Sequence, residues 1–190
     1  DLKHIINKKL LLSEEIQKEI RTYEENHLEA KEVKLIDSKV LISQYTKDAS
    51  NYYYDQGKKV KFKINTISGE VENAEALNDS YGNRDQIENK LKEYINKYYK
   101  TEATKFNGYY ESLSHKVYII INVKNINEKS FYSGEWMSIW EFDINDNKLK
   151  GNIKINSSYY EDTNVQFHLN KNFESNINGK NSDEIVAKDL

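Results

Sequence analysis

The sequence predicts an α+β protein: an N-terminal antiparallel helical stalk, a small β module, then a five-stranded antiparallel meander sheet covered by a helix. Three observations predict it. Residues 131–169 alternate side chains with period two between polar turns, the mark of consecutive half-buried strands. Residues 2–27 and 84–98 instead repeat apolar positions at three- and four-residue steps, the spacing of amphipathic helices. Between them lie short β-branched and aromatic runs bounded by Asn, Asp and Gly, and with Pro 0 nothing breaks any of these elements. The expected division is 1–30 for the stalk, 31–83 for the β module and its connector, and 84–190 for the helix, the sheet and the start of a C-terminal helix.

In chain order, Leu2, Ile5, Ile6, Lys9 and Leu10 keep one helical face. Ser13 is suited to cap a second helix, with Glu14 and Glu15 at its positive end. That helix carries the stripe Ile16, Ile20, Tyr23 and His27, and two helices joined so tightly should lie antiparallel. After Lys31 the residues Val33, Leu35, Val40, Leu41 and Ile42 read as extended structure ending near Thr46. Asp48 to Gly57 reads as a tyrosine-bearing loop. Lys58 to Asn65 reads as a strand with Val60, Phe62 and Ile64 inward and Lys58, Lys59, Lys61 and Lys63 outward. Glu70 to Asn83, polar and poor in apolar residues, is expected to be a mobile connector.

A helix resumes at Arg84 with Ile87, Leu91, Tyr94, Ile95 and Tyr98 on one face. Ala103 to Tyr110 and Lys116 to Lys124 read as strands, the second with Val117, Ile119, Ile121 and Val123 facing one way. In the next, Trp136, Ser138, Trp140 and Phe142 alternate with Met137, Ile139, Glu141 and Asp143. Asn145-Asp146-Asn147 is turn chemistry, since Asn and Asp tolerate left-handed φ. Leu149, Gly151, Ile153, Ile155, Ser157 and Tyr159 then share a face, and after the turn at Glu161 to Asn164 so do Val165, Phe167 and Leu169. Both tryptophans, at strand spacing on one face, are expected to pack in the core beneath a helix. Ser182, Asp183 and Glu184 form a helix start whose helix is expected to run on past Leu190.

Composition narrows the function. A net charge of -3 argues against a nucleic-acid or membrane-surface binder, and no apolar run approaches the length of a membrane span. Cys 0 excludes disulfides, thiolate zinc sites and cysteine catalysis, and fits an intracellular protein. His4, His27, His115 and His168 are scattered, and the seven glycines form no phosphate-binding loop. Glu161 and Asp162 are adjacent at a strand end, where side chains point apart, so they read as turn residues and not an acid–base pair. The four lysines of residues 58–63 read as a solvated strand face. No enzyme is expected, and no cofactor or metal.

One stretch carries a resemblance. Phe131, Gly134, Trp136, Ser138, Trp140 and Phe142 spell F-x-x-G-x-W-x-S-x-W-x-F. Tyr159, Tyr160, Glu161 and Asp162 follow, then Asn164, Val165 and Gln166. Together these blocks resemble the alpha subunit of F-actin-capping protein, in which the second block runs Y-Y-E-D-G-N-V-Q; here Thr163 stands at the glycine. The resemblance is specific from Phe131 to Gln166, and elsewhere rests on the order of elements. It marks Phe131, Gly134, Trp136, Trp140, Tyr159 and Tyr160 as motif residues of the core.

The resemblance implies a capping-protein-like fold and a cytoplasmic, cytoskeletal protein that caps the barbed end of actin filaments by occlusion. It implies a dimer in which two sheets meet edge to edge, the partner being a beta-type capping subunit or a second copy of this chain. The strand from Asn164 through Val165, Gln166, Phe167, His168 and Leu169 lacks Pro, and its lysine, Lys171, sits late, so it is the expected dimer edge. Mobile C-terminal tails grip actin in that family, so the actin contacts are expected beyond Leu190 and none is assigned here. The alternative is a scaffold subunit that uses the same fold for pairing and regulator docking without capping.

Overall fold

The computed structural model describes residues 13–65, 67–78, 84–99, 104–126, 131–161 and 164–177. The helix expected over Leu2–Leu12 and the helix start at Ser182 lie outside the described residues. The chain divides into two compact units, Asp1–Leu77 and Asn78–Leu190.

The first unit opens with α1, Glu14–Asn26. Ser13 caps it: its side-chain oxygen accepts from the Ile16 amide at 3.4 Å, and Glu14 and Glu15 occupy the first turn. Strands β1 (Ala30–Val33) and β2 (Ser38–Leu41) form an antiparallel hairpin across a 3-10 turn at Lys34–Ile36, with Asp37 left-handed at φ 45°. Strands β3 (Tyr53–Asp55), β4 (Val60–Ile64) and β5 (Val71–Ala76) form an antiparallel sheet in that order. Val33, Val40, Ile42, Tyr53, Val60 and Phe62 are its buried core.

Three expectations fail here. The loop expected over Asp48–Gly57 contains β3, because Tyr53 and Asp55 are both buried on one side of a short strand. Lys58 and Lys59 belong to the turn before β4, where Lys59 takes φ 55°, so the expected lysine face is shorter than four residues. The connector expected over Glu70–Asn83 begins as β5. Its polar composition is no bar, since Val71 and Ala74 reach the core. Its acids stand opposite lysines of β4: Glu75 pairs with Lys61 at 3.0 Å, and Glu72 lies across from Lys63. Residues 79–83 lie outside the described residues.

The second unit holds α2 (Arg84–Tyr98) and five antiparallel strands in simple meander order. These are β6 (Thr104–Glu111), β7 (Lys116–Ile126), β8 (Tyr132–Asp143), β9 (Lys148–Tyr159) and β10 (Val165–Asn176). Left-handed residues make the tight turns: His115 at φ 52° between β6 and β7, Asn147 at φ 50° between β8 and β9. In the second turn the Asp143 carboxylate accepts from the amides of Asn145 and Asp146. Register puts Ile121, Ser138 and Ile153 in one row and Ile119, Trp140, Gly151 and Phe173 in another. Leu91 and Ile95 of α2 join Val117, Ile119, Ile121, Phe142 and Ile177 in one buried cluster. The helix therefore packs on the β7 region, and the sheet's β10 margin stays open.

Candidate pairing edge

Strand β10 is where this unit stops. All twelve of its residues pair antiparallel with β9, from Val165 opposite Tyr159 to Asn176 opposite Lys148. On its other side no strand pairs among the described residues. Every residue of β10 is exposed. One face carries an apolar row, with Val165 at 53%, Phe167 at 52%, Leu169 at 38% and Phe173 at 37% exposure. A long, flat edge of this kind, with unpaired amides and carbonyls, is a template for another strand unless charge, Pro or a bulge blunts it. Here Lys171 alone interrupts the apolar row, and its ammonium lies 4.9 Å from the centre of the Phe173 ring.

The other face is a ladder of amides. Asn152 Nδ2 donates to Asn170 Oδ1 at 2.8 Å and to Asn172 Oδ1 at 2.6 Å. The His168 ring meets Asn156 Oδ1 at 2.9 Å and Gln166 Oε1 at 3.4 Å. Lys148 donates to Glu174, which raises the lysine's pKa and lowers the carboxylate's. These contacts fix the register of β10 on β9 and use side chains alone. They leave the outward backbone of the strand untouched.

All six residues of the expected edge are exposed: Asn164 just before β10, and Val165, Gln166, Phe167, His168 and Leu169 within it. The motif residues divide. Phe131 and Tyr160 are 52% and 53% exposed, so they are not core residues. They sit at the ends of β8 and β9, joined by the Tyr160 amide donating to the Phe131 carbonyl at 3.1 Å. Beside them Tyr132 and Tyr159 stand opposite each other, rings 4.6 Å apart, and Tyr159 donates to Glu161, which raises its pKa.

Trp136 and Trp140 are half-buried, not enclosed beneath a helix as the spacing suggests. Trp140 lies over Gly151 on the neighbouring strand and touches the Phe173 ring, with centroids 5.7 Å apart. Trp136 is 6.2 Å from Tyr99, and its indole N–H is buried without a hydrogen-bond partner among the described residues. Gly134 has open space, with only the Asn156 carbonyl oxygen within 4 Å of an added Cβ. The fully enclosed positions belong to β7, whose strand is central in the sheet.

Sequence reasoning missed one polar cluster, in the first unit. Glu24 and Glu25, at the end of α1, are each only 8% exposed. Lys31 donates to Glu24 at 2.7 Å, and Glu25 accepts from Lys47 at 2.5 Å and from the Tyr53 hydroxyl at 2.6 Å. A signal was present. Two carboxylates in the last turn face the negative end of the helix dipole, and that placement is costly unless cations are brought to them. The stripe expected to bury α1 is less enclosed than these acids: Ile16 and Ile20 are half-buried and Tyr23 is 46% exposed.

The family model described as F-actin capping protein alpha subunit matches residues 1–189. Among known proteins, the F-actin-capping protein subunit alpha of Schizosaccharomyces pombe is 29% identical over 156 residues, 80% of this chain and 59% of that protein. That of Saccharomyces cerevisiae is 29% identical over 155 residues, 78% of this chain and 55% of the relative. The chain thus spans little more than half the length of these curated relatives. A solved structure, the homodimeric actin capping protein alpha subunit from Plasmodium berghei, superposes with a TM-score of 0.70 at 26% identity. It covers 92% of this chain, which in turn covers 68% of that one. With a five-stranded meander ending in an open edge and a family match over nearly its whole length, this chain belongs to the F-actin capping protein alpha subunit family.

Proposed function

We propose that this chain is the alpha-type subunit of a cap on the barbed end of actin filaments, non-enzymatic and working as a dimer. The observation that carries the reading is the open edge of a family member's sheet: twelve exposed residues with an unpaired backbone on one side. Pairing through β10 with a beta-type subunit or a second copy joins two five-stranded sheets into one. Such a continuous sheet is a rigid platform broad enough to span two terminal protomers. The mechanism is occlusion, in which the bound cap sterically blocks both addition and loss of actin. It consumes no nucleotide and needs no metal. The proposed site of action is the cytoplasmic actin cytoskeleton.

Residues 2–12 with α1 form the proposed antiparallel stalk. The proposed parts are the stalk over 1–30, the β module and connector over 31–83, and the platform over 84–190. No residue of this chain is assigned as an actin contact. Seeded actin elongation from barbed ends is the test, with the chain added alone and with a beta-type subunit. Substoichiometric arrest of elongation is the expected result. A protein that pairs stably yet leaves elongation untouched, with residues on both sides of this stretch restored, refutes capping and favours the scaffold reading.

A further inference from the structure

We infer that β10 pairs with β10 of a second copy of this chain, antiparallel and in one register, with the two-fold axis passing through Asn170. This rests on the reading of β10 as the pairing edge and adds the partner's identity and the alignment.

The geometry leaves few choices. A two-fold axis normal to the sheet maps each face onto itself, and residues directly opposite in an antiparallel pair share a face. Residue i can therefore stand opposite residue j only when both lie on the same face, so the axis passes through a residue and never between two. Three central registers keep most of the twelve residues paired. Centred on Lys171, the register sets two ammonium groups directly opposite, which is destabilising. Centred on Leu169, it sets Lys171 against Phe167 and leaves Phe173 against Val165.

Centred on Asn170, Phe167 of each copy stands opposite Phe173 of the other, twice over, because the two phenylalanines are three residues either side of the axis on the apolar face. Leu169 then faces Lys171, and Val165 faces Ser175. On the polar face His168 meets Asn172 and Gln166 meets Glu174, with no like charges opposed. Asn170 meets its own copy, so the amide row that already links Asn152 to Asn170 and Asn172 extends across the axis. The strand is chemically near-symmetric about Asn170, which suits it to pairing with itself.

The chain has Cys 0, so single cysteines label cleanly. Spin labels at Q166C and at E174C, four residues either side of Asn170, should give equal inter-copy distances of roughly 27 Å at about 3.4 Å per residue. Centring on Leu169 instead gives roughly 20 Å and 34 Å, and centring on Lys171 the reverse. As a second readout, F167K and F173E alone should each raise the dimer dissociation constant at least ~10-fold, and the double variant should recover most of the loss, since opposite charges then face each other twice. Circular dichroism checks that each variant keeps its sheet.

Equal distances with charge rescue support the inference, and unequal distances overturn the register. A chain that stays monomeric at ~10 μM but forms a one-to-one complex with a beta-type subunit overturns self-pairing and leaves the edge reading standing. A chain that pairs with neither overturns both.

Discussion

Gly151 offers the sharpest test of the sheet's packing. It is buried in β9 directly opposite Trp140, and the indole lies flat across it. A Cβ built at position 151 falls 2.3 Å from Trp140 Cε3 and 2.4 Å from Cζ3, separations that carbon atoms do not tolerate. To reach ordinary contact the ring must retreat by about 1 Å, and on its other flank stands Phe173. This is a strand glycine covered by a cross-strand aromatic. Gly151→Ala should therefore destabilise the fold by about 1–3 kcal/mol, the range for forcing an extra methyl into a packed site.

Two comparisons make that figure specific. Gly134→Ala, where the nearest atom is 3.6 Å from the new carbon, should shift stability by less than ~0.5 kcal/mol. Trp140→Ala should cost under ~3 kcal/mol, below the range for a fully buried tryptophan, because this ring is half-exposed. In that background Gly151→Ala should cost almost nothing, so the cycle should return a coupling of about 1–3 kcal/mol. Urea unfolding followed by far-UV circular dichroism is the assay, since fluorescence loses its reporter in the tryptophan variant. A Gly151→Ala cost that is the same with and without Trp140 would refute the overlap.

Three further expectations concern the rest of the chain. Tyr53→Phe removes a buried hydroxyl that donates to Glu25 at 2.6 Å and should cost about 1.5–3 kcal/mol by chemical denaturation, the range for a hydrogen bond to a charged group. Ser13→Ala removes the cap of α1 and should cost about 0.5–1 kcal/mol, with Ser13→Gly costing less. Burial pushes the pKa of Tyr53 upward, aided by its bond to Glu25, and burial with the nearby Tyr94 does the same for Tyr99. Their folded values lie above the unfolded value near ~10, so the stability they contribute is complete below that pH and is lost as pH rises through it. Melting temperatures should fall less steeply above pH ~10 in Tyr53→Phe and Tyr99→Phe than in the parent; parallel curves would sink this account.

Strand alternation alone was enough to read β6 through β10, because each strand buries one face and a period of two is then written into its residues. Ser13 announced α1 for a similarly local reason: the cap bonds an amide three residues away. The fate of Glu24, Glu25, Tyr53 and the polar strand β5 was not legible, since each depends on partners distant in sequence. Lys47 reaches Glu25 across 22 residues, and Lys61 meets Glu75 only once β4 and β5 lie side by side. Burial of the motif aromatics was misread in the same way. Period two says which face Trp136, Trp140, Phe131 and Tyr160 occupy, but not how much of that face another element covers. So the sequence by itself determined the order of the strands, their faces and the unblunted edge at β10. Tertiary structure alone decided that α2 closes over β7 while β10 stays open, because coverage depends on where a helix lands across the sheet, and no local pattern encodes that.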